Sequence, residues 1–387
     1  MENKSNITSK DNRKKSSSNE NRKGNFRRRE GDNRSRYSSE KKRPFRENRQ
    51  GRGRSFNHRR IEYPDWIKVL KVNPIPKILD SGKPADILAL QRNILGMERM
   101  SDPFRQLEKR VNHQEKLQKL FRDQIRFNDE KKNISTKQQI KEGLLFHKQL
   151  SLTHHLMQLG GRKYYGPVRD VILALMKFQR EDGRFPLLYH HHAHACWLLL
   201  KLGLEGNRIL DRAIFWIVNR QREDGGWLHR SMTPKAKEYQ NAESCIWTSA
   251  EILQMLSHRN IYISKDVTKR ACEFLLSKVL HKNSTSLFPS EDTWDHLSAS
   301  IKGDAMFLGG TLKVLDSVVR CGYNPTDQRV KKMYNWLLEQ QMDNGLFPAI
   351  AGKMPQANYD VTVRVLEVIK SIETTRPKQK PTSDIIS

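Results

Sequence analysis

Aliphatic side chains are almost missing from the first sixty residues of this sequence, and acids are scarce there too: 21 Lys and Arg stand against 7 Asp and Glu. A segment so poor in apolar surface cannot offset the entropy of ordering, so residues 1–60 are expected to be a disordered basic tail. No apolar stretch follows the basic start, which excludes a signal peptide, and Glu2, Asp11, Glu20, Glu30 and Asp32 argue against a transit peptide. No run of apolar residues approaches the length that spans a bilayer. Only four cysteines occur, Cys196, Cys245, Cys272 and Cys321, with no CxxC pair among them. That pattern excludes a disulfide framework and reads as free thiols in a reducing compartment, with the cytoplasm as the expected location.

What the tail lacks, the rest of the chain has. A connector with Pro74 and Pro76 leads into helical patterns at 85–100 and 102–127, which make residues 61–134 a helical N-terminal extension. A further helix over 135–159 stops at Gly160 and Gly161. From Tyr165 the pattern repeats. Four amphipathic helices each run into a polar turn closed by an aromatic residue: Phe185, Trp227, Phe288 and Phe347. After each turn comes a more uniformly apolar helix, such as HHHAHACWLLLKLGL or ESCIWTSAEILQML. No single pair of such helices buries its own faces, so the pairs must stack. With the helix over 135–159 as the inner half of an earlier copy, about five hairpins are expected between residues 135 and 372. Residues 373–387 are expected to be disordered.

The turn from Gln221 through Gly225 and Gly226 to Trp227, preceded by Arg212, Ala213 and the apolar run Ile214–Val218, resembles the QW motif of squalene and oxidosqualene cyclases. Gln179, Gly183 and Phe185 form a looser copy, as do Gln341, Gly345 and Phe347. The chain therefore resembles the terpenoid cyclase and protein prenyltransferase superfamily over roughly residues 135–372. The resemblance implies an all-α fold, an α/α toroid whose hairpins make a partial or complete ring. It also implies a ligand site of isoprenoid type at the ring mouth. The acidic D-x-D-D motif with which cyclases protonate their substrate does not occur here. In the prenyltransferase branch a zinc is held by D-x-C and a later His. This chain has Glu243-Ser244-Cys245 at the matching inner-helix start and Asp304 at the next, so the triad is incomplete. His190 and His194, four apart on the preceding inner helix, are the nearest substitutes.

The resemblance sets the candidate roles. Asp304, Asp360 and Glu243 are candidate catalytic groups. Trp197, Trp247, Phe307 and Tyr359 are candidate linings for an apolar substrate. Arg230, Lys235 and Lys237 stand where the family binds diphosphate, and His190, His194, Glu243 and Cys245 are candidate zinc ligands. Each has a plainer reading beside it: acids favour helix N-termini, and a buried Cys or aromatic residue is ordinary core. The alternative function is a helical-repeat scaffold without chemistry. In that reading the basic tail attaches it to nucleic acid or an anionic surface.

Overall fold

A helix that is apolar on every face must be surrounded, and an amphipathic neighbour gives it one wall. A computed structural model describes residues 62–122, 139–228, 243–280, 293–298, 310–352 and 356–375. The tail, the Phe288 turn, Arg230, Lys235, Lys237, Asp304 and Phe307 lie outside them. The described chain is all-α apart from a two-residue antiparallel ribbon, Phe347–Pro348 with Ala357–Asn358. Its helices are α1 (Ile75–Ser81), α2 (Pro84–Asn93), α3 (Asp102–Asn112), α4 (Gln139–Gln158), α5 (Gly166–Met176), α6 (Tyr189–Lys201) and α7 (Arg208–Val218). They continue with α8 (Ile246–Ser257), α9 (Asn260–Ile263), α10 (Asp266–Ser277), α11 (Gly310–Arg320), α12 (Gln328–Glu339) and α13 (Tyr359–Thr375). Among the described residues no helix is long and apolar enough to cross a membrane.

The inner helices α4, α6, α8, α11 and α13 pack each on the next, and outer helices α5, α7, α10 and α12 each cover the inner helix before them. Every residue of α8 is buried, whereas α7 buries only the stripe Leu210, Ala213, Ile214, Trp216 and Ile217. A sixth inner place is taken by α2, which packs on α13. At its other side Ala85 faces Gly160, the residue that ends α4; a Cβ added at Gly160 would lie 3.4 Å from the Ala85 Cβ. The circle of inner helices is thus complete. It draws on residues 62–122, which belong to the same compact unit as everything from Ile61 onward.

The turn residues explain how each hairpin is fixed to the next. Gln221 Nε2 donates to Gly225 O at 2.8 Å, inside its own turn, and to Val267 O at 2.7 Å, at the start of the next outer helix. Gln179 does the same with Gly183 O and Ile209 O, both at 2.8 Å. Gln341 completes the series with Gly345 O at 2.8 Å and Val72 O at 2.7 Å, and its Oε1 accepts from Lys71 N at 2.8 Å. This last tie joins residues some 270 positions apart and clasps the ring. Gly225 has φ +87, and a Cβ there would lie 2.5 Å from Arg270 O, so only glycine fits. The aromatic residue is held by a second tie: Trp227 N donates to Ser249 Oγ (2.9 Å), Phe347 N to Thr362 Oγ1 (2.9 Å) and Phe185 N to His192 Nδ1 (3.0 Å). Ser249, Thr362 and His192 are each the fourth residue of their inner helix.

Candidate functional site

Parallel inner helices bring the same helical position of each to one level of the ring. His194, Glu251 and Arg364 are each the sixth residue of α6, α8 and α13. At this level a buried polar chain crosses four inner helices. Lys313 on α11 donates from Nζ to Glu251 Oε2, Glu251 Oε1 stands 2.6 Å from His194 Nδ1, and His194 Nε2 stands 2.8 Å from His154 Nδ1 on α4. All four side chains are buried. Burial opposes the Glu251 charge, but Lys313 and then His194 outweigh it, holding the carboxyl low at about 2.

Beside this chain, toward the C-terminal ends of α4, α6 and α8, the inner helices line a partly open cavity of about 120 Å³. Side chains from all six inner helices or the residues that end them face it. The cations are Arg92, Arg162, Lys201, Arg320 and Arg364; the acids are Asp86, Asp316, Asp360 and Glu367. Arg320 is paired with Asp316 at 2.9 Å, and Glu367 accepts from Asn93. Burial pushes the Arg162 guanidinium down to about 10, helped by the charge of Arg92. Burial also lowers Lys201 and, with Lys201 and Arg320 nearby, takes His258 down to about 3, so that imidazole is neutral. Two carboxyls move the other way. Burial raises Asp360, and burial followed by repulsion from Asp360 raises Asp86 to about 6. The cavity therefore combines cations with carboxyls that keep their protons closer to neutrality.

The sequence candidates separate into groups. Trp197 and Asp360 line the cavity, Trp197 with its ring centroid 5.1 Å from that of His194. His190 is buried against His191, with centroids 4.1 Å apart. Trp247 is buried edge-on to Trp294 at 4.9 Å, and Tyr359 is half-buried against the core. Glu243 is exposed ahead of α8, while Cys245 is buried at the start of that helix and donates its N–H to Trp227 O at 2.8 Å. The four expected zinc ligands do not fit a zinc site. His194 uses both ring nitrogens on His154 and Glu251, and among the described residues no three His, Cys, Asp or Glu side chains come together as a metal set. His154, Glu251, Lys313, Arg162 and Asp86 were not singled out in the sequence. The signal was there for Glu251, a lone charge inside an apolar inner helix.

No family model matches the sequence, and no curated protein sequence does. Among solved structures the chain is similar to a polysaccharide lyase, with a TM-score of 0.35 and 11% identity over 58% of this chain and 72% of that one. It is similar also to the type II terpene cyclase MstE from Scytonema. The apo form gives a TM-score of 0.24 and 14% identity over 54% of this chain and 84% of that one. The complex with its product, merosterolic acid A, gives 0.25 and 13% over 68% and 98%. At such scores the likeness carries no functional weight.

Proposed function

We propose that the ring binds and transforms a small molecule with an anionic head, that the head sits in the central cavity, and that Asp360 is the acid of the site. The observation that carries this is the convergence of Arg92, Arg162, Lys201, Arg320 and Arg364 on one partly open cavity next to a carboxyl raised by burial. Cations held in a partly desolvated wall attract an oxyanion more strongly than they do in water. Burial, which raises the Asp360 carboxyl, shifts it toward the protonated form that can donate. The isoprenoid class enters through the QW-type resemblance. A cavity of about 120 Å³ has room for a small polar head. Glu243 and Asp304, with Arg230, Lys235, Lys237, Trp247, Phe307 and Tyr359, remain proposed for the N-terminal starts of the inner helices.

The small volume favours a second reading, a scaffold whose ring is filled by its own side chains. Calorimetry separates the two with three probes: inorganic pyrophosphate, geranylgeranyl diphosphate and geranylgeraniol. The site reading expects the two diphosphates to bind and the alcohol not to. Binding should be lost in Arg162→Met and kept in Asp360→Asn. Absence of binding by all three would leave the scaffold.

A further inference from the structure

The level of the ring next to the buried polar chain is formed by the ninth residues of the inner helices. Trp197, Gln254 and Glu367 are the ninth residues of α6, α8 and α13, and all three line the partly open cavity. Glu367 accepts from Asn93, and Asp316, also in the wall, is paired with Arg320 at 2.9 Å. The two neutral groups are not engaged in this way. Trp197 is 6% exposed and Gln254 2%, and among the described residues neither Trp197 Nε1 nor Gln254 Oε1 has a hydrogen-bond partner. Buried polar atoms are nearly always paired, because an unpaired one has lost its water without a replacement. Here an unpaired donor and an unpaired acceptor stand at the same position of two neighbouring helices, both at the wall of one cavity. The Trp197 indole is held by the rings beside it, with centroids 5.1 Å from His194 and 6.2 Å from His258. His258 is itself fixed to α8, its Nδ1 standing 2.8 Å from Gln254 O.

A ligand group that completes both atoms must accept from an N–H and donate to an amide oxygen. An ionised phosphate or carboxylate oxygen only accepts, so the anionic head alone leaves Gln254 unmatched. An ammonium only donates, and it would meet the charges of Lys201 and Arg320, which after burial are what lower His258 beside it. A hydroxyl accepts and donates through one oxygen and carries no charge. We propose that Trp197 and Gln254 are the specificity-determining residues of the cavity and that its ligand is a small organic anion bearing a hydroxyl beside its charged group. This rests on the cavity being the ligand site. The cations of the wall hold the charged group, the Trp197 N–H donates to the hydroxyl oxygen, and the hydroxyl donates to Gln254 Oε1. An analogue without the hydroxyl leaves both protein atoms unpaired, and a buried site of this kind rejects it.

The test is calorimetric titration of the full chain with two probes of equal charge and carbon number, glycerol 1-phosphate and propyl phosphate. Glycerol 1-phosphate should bind about tenfold more tightly, or better. The ratio of the two affinities should fall toward one in Gln254→Met, which keeps the length of the side chain and removes its amide. It should fall also in Trp197→Phe, which keeps an aromatic ring and removes the N–H. A merely structural role for either residue would weaken both probes together and leave the ratio as it was. The ratio in the parent needs no variant, so it decides the matter even where a variant does not fold. Equal affinity for the two probes in the parent, with both lost in Arg162→Met, overturns the hydroxyl and leaves the cavity an anion site. A preference that persists unchanged in both variants also overturns the proposal, as does binding of pyrophosphate with neither probe. If pyrophosphate and both probes all fail to bind, the cavity reading falls together with this one.

Discussion

Individual side chains set the charge state of this ring, and their pH dependence is testable one at a time. Asp86 is buried with its folded pKa near 6 against an ordinary 3.8, so the folded state holds that proton more tightly than the unfolded chain. The resulting stability is present in full below pH 3.8 and is lost as pH rises through 6. Asp86→Asn removes the ionised form and keeps an oxygen for the Lys83 N–H. It should gain up to about 3 kcal/mol over the parent at pH 8 and nothing near pH 3.5. Urea unfolding at the two pH values checks this, and equal midpoints at pH 8 would contradict it. His192 has the opposite sign. Burial takes it down to about 4, so its contribution is present above pH 6.5 and is lost as pH falls toward 4, where protonating Nδ1 breaks its bond from Phe185 N. Removing only one partner of the buried Glu251–Lys313 pair strands the other. Glu251→Ala should cost about 3–5 kcal/mol, whereas the neutral double replacement should cost far less.

At the scale of the helical hairpin, the turns carry the fold. Trp227 is fully buried, and its indole N–H donates to Ile217 O at 2.9 Å. Trp227→Ala should cost about 3–5 kcal/mol, as a large deletion in a packed core. Thermal unfolding of the variant at the parent's midpoint would refute the packing described. The turns were legible in the sequence because Gln, Gly and the aromatic residue lie within seven positions of one another, and the tie they make is local. The partner of that aromatic residue was not legible, because its N–H is accepted by Ser249, Thr362 or His192, three residues of different chemistry at one helical position. The His192 ring bridges the Phe185 N–H and the Ala213 carbonyl. The candidate site was read at the starts of the inner helices, where polar residues cluster in the sequence. The cavity lies toward the ends of several of them. Its wall includes Asp86 and Arg92 from a segment that carries no copy of the repeat. Only ring closure brings those residues in, and closure depends on contacts across most of the chain.

The whole molecule depends on that closure. Gln341 holds Lys71 and Val72, and Lys370 Nζ donates to Asn93 O at 2.7 Å, so the last hairpin is fastened to the segment that precedes the first. A chain lacking residues 1–60 should unfold at nearly the parent's temperature, as the composition of that segment predicts. One lacking residues 1–134 should lose its cooperative transition, because α13 would expose the face that α2 covers. Circular dichroism melts of the two truncations check both statements. Calorimetric titration of the full chain with inorganic pyrophosphate decides whether the cavity is the ligand site. The ring's central cavity is predicted to bind it at one site, with binding abolished in Arg162→Met and retained in a Glu243→Ala variant altered at the helix starts. Binding that survives Arg162→Met, or that is lost with Glu243, would place the site elsewhere and contradict the assignment of the cavity.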